Sequence, residues 1–130
     1  IESFQVFADP IYFIQHKNRK SKVIDNGSLL MLEQGHCLRS HILQNNEIST
    51  KHISNFSCTS ISTLVAMVDT NIGVSFLPRM AIDFGILSHY PNINIDLEST
   101  KAKRDIGVIY RKNNPQEENI KKLAMLLKTD

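Results

Sequence analysis

Cysteine is scarce in this chain of 130 residues, no long apolar run occurs, and charge of one sign is not in excess. Each of these shortages removes a class of protein. Two thiols, Cys37 and Cys58, do not supply the framework of a disulfide-stapled secreted module, so each must be explained singly. No apolar stretch approaches the ~20 residues that a membrane-spanning helix requires. The opening Ile1-Glu2-Ser3-Phe4 lacks the basic start of a signal peptide. A cytoplasmic protein with no membrane partner is the expectation. Fifteen Lys and Arg against thirteen Asp and Glu leave a net charge of +2, too balanced to make nucleic acid a partner on charge alone. The one basic cluster, Lys17, Arg19, Lys20 and Lys22, reads as a solvated loop where the chain turns at the surface. A glycine-rich phosphate loop, an internal repeat and a low-complexity segment are all missing. So is an initiating methionine, and the apolar start already reads as a strand, which suggests a piece of a longer protein.

The hydrophobic content of 42% with 22% charged residues is that of a globular chain long enough for one compact domain. Phe4–Phe7 and Ile11–Ile14 read as two extended runs separated by Ala8-Asp9-Pro10, where the proline marks a turn or a strand entry. After Asp25-Asn26-Gly27, residues 28–33 form a continuous apolar run of the length of a buried parallel strand. From Cys37 the spacing of Leu38, His41, Ile42 and Asn45 becomes helical. A second unit repeats the design: a strand over 52–58, a Thr59-Ser60 cap, and a helix with the stripe Ile61, Leu64, Val65 and Val68. A short buried strand over 73–77 leads to Pro78, which opens a helical turn. Strands at 93–97 and 106–110 follow, then a helix after Asn114-Pro115 with Ile120, Leu123, Ala124 and Leu127 on one face. Strands alternating with helices predict an α/β fold with a mostly parallel sheet flanked by helices, its sites at strand carboxyl ends and helix N-termini.

Cys37 stands where a buried strand gives way to a helix. Free backbone N–H groups there, with His36 and Arg39 beside it, would favour thiolate over thiol. A thiolate reacts with oxidants and passes through sulfenic acid to a disulfide, although a lone cysteine can equally be a small buried hydrophobe. Thr59, Ser60 and Ser62 form a second candidate site, because hydroxyls and free N–H groups at a helix start bind anions. Plain N-capping accounts for the same residues. Cys37 and His41 lie four apart and could face one metal, yet a closed zinc site requires four ligands and no second pair has matching spacing. No metal and no cofactor are therefore expected. A cysteine hydrolase using Cys37 with His36, His41 or His52 would need an orienting partner and an oxyanion hole, and no hydrolase signature surrounds the thiol. His16 and His89 read as surface or strand-edge residues.

Leu30-Met31-Leu32-Glu33 followed by Gly35-His36-Cys37-Leu38-Arg39 closely resembles the segment around the peroxidatic cysteine of OxyR-type regulators, a branch of the LysR-type transcriptional regulators. Thr59-Ser60-Ile61-Ser62-Thr63-Leu64, Gly73–Pro78 and Arg104–Arg111 continue the resemblance in the family's order and spacing. It covers nearly the whole chain and implies a periplasmic-binding-protein-like, Rossmann-like regulatory subdomain. On this pattern 8–103 form the distal subdomain, while 1–7 and 104–130 supply hinge strands and the last helix of the proximal one. The winged helix-turn-helix of a full-length member has no counterpart here, so DNA would be contacted only through a domain outside this sequence.

The resemblance implies redox-sensing roles for Cys37, His36 and Arg39, and an effector-binding role for Thr59, Ser60, Ser62 and Arg104. A small-molecule effector or oxidant and a second copy of the chain are the implied partners; an enzyme is not implied. One departure bears on the chemistry. Where the pattern places its resolving cysteine this chain has Asn45 or Asn46, and a neighbouring aspartate is replaced by Ser40. The usual intramolecular disulfide cannot form, and Cys58 is the only other thiol. The apolar face of the last helix should lie on a proximal subdomain that this sequence largely lacks, so self-association or a swapped helix is expected.

Overall fold

The computed structural model describes residues 1–33, 37–45, 48–98 and 102–128. Strand β1 (Glu2–His16) leads into β2 (Leu29–Leu32) and helix α1 (Cys37–Asn45), then β3 (Ile53–Cys58) and α2 (Ile61–Asp69). After these come β4 (Ser75–Pro78), α3 (Arg79–Asp83), β5 (Ile93–Asp96), β6 (Lys103–Tyr110) and α4 (Glu117–Leu127).

The two short strands expected at the start are one continuous strand of 15 residues. Pro10 does not turn the chain; it marks where β1 changes partners. Residues up to Pro10 pair with β6, whereas Ile11 to Ile14 pair with β4 and Phe13 to His16 pair with β5. A proline fits there because its fixed φ suits extended backbone, and the ladder resumes at once with the Ile11 amide donating to the Ala102 carbonyl at 3.0 Å.

The α/β class holds, but the parallel sheet needs a correction. β2 and β3 pair in parallel, and a parallel bridge between Leu29 and Val74 joins β2 to the chain entering β4. β1 then pairs antiparallel with β4, β5 and β6. Every strand except β1 thus runs the same way, while β1 lies among them in the opposite sense. Strand direction cannot be read from apolar runs, because a strand buried on both faces shows the same run in either sense.

The core lies around β2, whose four residues are all buried. Leu38 and Ile42 of α1, with Leu64, Val65 and Val68 of α2, are buried with it, each such side chain contributing roughly 1.5–3 kcal/mol. Phe13 and Phe76 meet edge to face across β1 and β4, with ring centroids 5.4 Å apart. The Ser75 hydroxyl, fully buried, donates to the Leu30 carbonyl at 2.7 Å, so β4 adds no unsatisfied polar group. At Gly73 a Cβ would collide with the Ser28 carbonyl and lie 2.9 Å from Leu30 Cγ, so only glycine lets this segment approach β2. The last helix leaves apolar surface uncovered: Ala124 is buried, while Leu123, Met125, Leu126 and Leu127 are exposed.

Candidate functional site

Two strand-to-helix corners lie side by side, because β2 and β3 are parallel neighbours with Leu32 in register with Cys58. At the first, Cys37 is the first residue of α1 and is exposed. Arg39 bends back, its Nη1 donating to the Leu32 carbonyl at 3.0 Å, so its side chain ties the first turn of the helix to the end of the strand. His41 Nδ1 donates to the Cys37 carbonyl at 2.9 Å, which engages the ring on the backbone one turn along. No acidic residue occupies the first turn of α1. His36 lies outside the described residues.

At the second corner the thiol sits on the strand. Cys58 is 1% exposed, its Sγ lies 3.4 Å from Met67 Sδ, and burial pushes its thiol pKa up. A buried thiol with a raised pKa is a poor nucleophile. Both cysteines are free thiols.

Ser60 is the N-cap of α2: its hydroxyl accepts the Thr63 amide at 3.2 Å and lies 3.1 Å from the Thr63 hydroxyl. Thr59 and Ser62 flank it, exposed. Of the four residues expected to hold an effector, the fold brings two together. Ser62 and Arg104 line one cavity of about 490 Å³, whose walls include Ile61, Met80, Phe84 and Ile86. Thr59 and Ser60 do not line it.

Arg104 is held from behind by a residue that sequence reasoning did not single out. Asp9, 2% exposed on β1, accepts Arg104 Nε at 2.8 Å through one carboxylate oxygen. Its other oxygen accepts the Met80 amide, in the first turn of α3, at 3.0 Å. A buried carboxylate needs such partners. Asp9 thereby links β1, β6 and α3. The available signal was a lone acid inside an apolar strand. Among the described residues no group of three or more His, Cys, Asp or Glu side chains could hold a metal ion, and no helix is long and apolar enough to cross a membrane.

Residues 2–130 match the family model of the LysR substrate binding domain. The HTH-type transcriptional regulator EstR of Acinetobacter baylyi is 29% identical over 126 residues, which cover 91% of this chain and 42% of that protein. The DNA-binding transcriptional dual regulator OxyR of Escherichia coli is 32% identical over 102 residues, covering 74% of this chain and 32% of OxyR. The reduced form of the regulatory domain of OxyR2 from Vibrio vulnificus superposes with a TM-score of 0.88 at 30% identity, over 97% of this chain and 63% of that one. The chain thus spans 32–42% of the length of these curated relatives.

Proposed function

This chain belongs to the LysR substrate-binding-domain family, and from that premise we propose that it is the sensory part of a transcriptional regulator, responsive to peroxide through Cys37. The exposed Cys37 at the start of α1 carries the reading. Cys37 thiolate attacks one peroxide oxygen; the S–O bond forms as the O–O bond breaks, and the departing hydroxide takes up a proton to leave as water. The sulfenate then condenses with a small thiol, giving a mixed disulfide and a second water. A partner from outside is required because Cys58 is buried against Met67. The change at the head of α1 would alter packing between subunits and so the placement of DNA-binding domains carried elsewhere in the regulator, in the bacterial cytoplasm and without catalytic turnover. On this reading 8–103 act as the distal subdomain and 1–7 with 104–130 as part of the proximal one.

Mass spectrometry after dilute peroxide with a small thiol present should find the adduct on Cys37 and none on Cys58. Equal, slow modification of both would overturn the reading.

A second reading rests on the cavity shared by Ser62 and Arg104. One cation and one hydroxyl beside apolar walls suit a small carboxylate with an apolar body, gripped at Arg104 and covered by the side chains of Ile61, Phe84 and Ile86. Benzoate should then raise the melting temperature of the chain, and Arg104→Ala should abolish the rise. A rise that survives in this variant would remove the reading.

A further inference from the structure

Met80, in the first turn of α3, lines both the cavity of Ser62 and Arg104 and a second space of about 370 Å³ walled by Phe7, Pro10, Arg79 and Asp83. The residue is 44% exposed, so a small oxidant reaches its sulfur. The other methionines are placed differently. Met31 is buried, the Met67 sulfur lies against the buried Cys58 thiol, and Met125 faces solvent on α4.

A cation beside the sulfur sets Met80 apart. Arg104 Nη2 lies 3.9 Å from Met80 Sδ, and because thioether sulfur is a weak acceptor the contact is a weak one. One carboxylate holds the two residues together: Asp9 accepts Arg104 Nε at 2.8 Å and the Met80 amide at 3.0 Å. The guanidinium and the backbone of Met80 are thereby fixed relative to each other. An oxygen added to this sulfur meets a donor already in place, with little further ordering to oppose the bond.

We propose that Met80 is a modification site, at which peroxide oxidises the thioether to a sulfoxide and Arg104 holds the new oxygen through Nη2. A sulfur lone pair attacks one peroxide oxygen; the S–O bond forms as the O–O bond breaks, and the departing oxygen takes up the proton of the first to leave as water. Sulfur loses two electrons and the peroxide gains them. The sulfoxide oxygen is a far stronger acceptor than sulfur, so a weak contact becomes a charge-assisted hydrogen bond. The consequence rests on the carboxylate reading of the cavity: the guanidinium that would grip the ligand is taken, and an apolar wall has become polar. Peroxide then closes the cavity without the participation of Cys37.

The test uses this chain carrying Cys37→Ser, which removes the thiol chemistry, with and without Arg104→Lys, a change that keeps a cation on Asp9 and removes Nη2. Peptide mass spectrometry after dilute peroxide should place one oxygen on Met80. Urea denaturation before and after treatment then reads the capture, with the same treatment of Met80→Leu correcting for the other methionines. Oxidation should favour folding about tenfold more with Arg104 in place than in Arg104→Lys, the scale of one hydrogen bond to a charged group. A ratio of one, or a Met80 that stays unoxidised while Met125 reacts, would sink the proposal. Benzoate separates the consequence from its premise. Oxidation should weaken benzoate binding by a similar factor, and Met80→Leu should keep it after the same treatment. Binding indifferent to the sulfoxide overturns the closure, whereas no binding to the untreated chain overturns the carboxylate reading alone, and the capture still stands or falls by the tenfold ratio.

Discussion

The corner after β2 and the corner after β3 start from similar material, an apolar strand, a cysteine and a helix, yet they present opposite chemistry. The thiol of the first lies past the strand, on the opening turn of α1 and in contact with solvent. That of the second lies on the strand, in the core, with its pKa pushed up by burial. A shift of the thiol from strand to helix start thus separates a candidate sensor from a packing residue. The hydroxyls differ as well: Ser60 is committed to capping α2, which leaves Ser62, in the first turn of the helix, to face the cavity of Arg104.

The largest effect expected from this contrast comes from placing a carboxylate at each cysteine. Cys58→Asp should cost about 3–5 kcal/mol in urea denaturation, because a charge would be buried with no partner. Cys37→Asp should stay within about 0.5 kcal/mol, since the position is exposed and a negative charge suits a helix start. Similar costs at the two sites would erase the distinction. Next in size is Asp9→Ala, which strands the Arg104 guanidinium and the Met80 amide together; a loss of about 3 kcal/mol is expected, along with any anion binding at the Ser62 side of the cavity. Ser60→Ala should cost about 1 kcal/mol, the worth of an N-cap, and leave Cys37 reactivity unchanged. If Ser60→Ala instead altered the rate of Cys37 alkylation, the two corners would be coupled.

The smallest effect is a pH dependence. The folded pKa of Cys58 lies above its ordinary value of 9.0, so above that pH the unfolded chain releases a proton that the folded chain retains. Stability therefore falls as pH rises past about 9. Chemical denaturation between pH 7 and 10 should show this decline, and Cys58→Ala should flatten it.

Much of the architecture was legible in the residues. The continuous run over residues 28–33, the helical spacing from Cys37, the Ser60 cap and the stripe Leu64, Val65 and Val68 all have their structural counterparts, because periodicity and capping are local properties. Pro10 misled for the same reason: locally a proline after Asp signals a turn, and only the arrival of β6, β4 and β5 on either side makes that segment one strand. His16, expected at the surface or a strand edge, is buried at the end of β1, where its Nδ1 accepts the Asn18 amide at 3.1 Å. Asp9 went unnoticed, since its partners Met80 and Arg104 lie 71 and 95 residues away.

The sequence by itself determined most of the strands and helices, which thiol opens a helix, and which family's pattern the chain follows, since these depend on the order of side chains over a few residues. Tertiary structure alone decided that β1 runs against its neighbours, that Cys58 is sealed in the core, and that Asp9 holds Arg104. Each of these joins residues distant along the chain, and burial, which sets whether a thiol, a carboxylate or an amide is inert or reactive, exists only after those segments have packed.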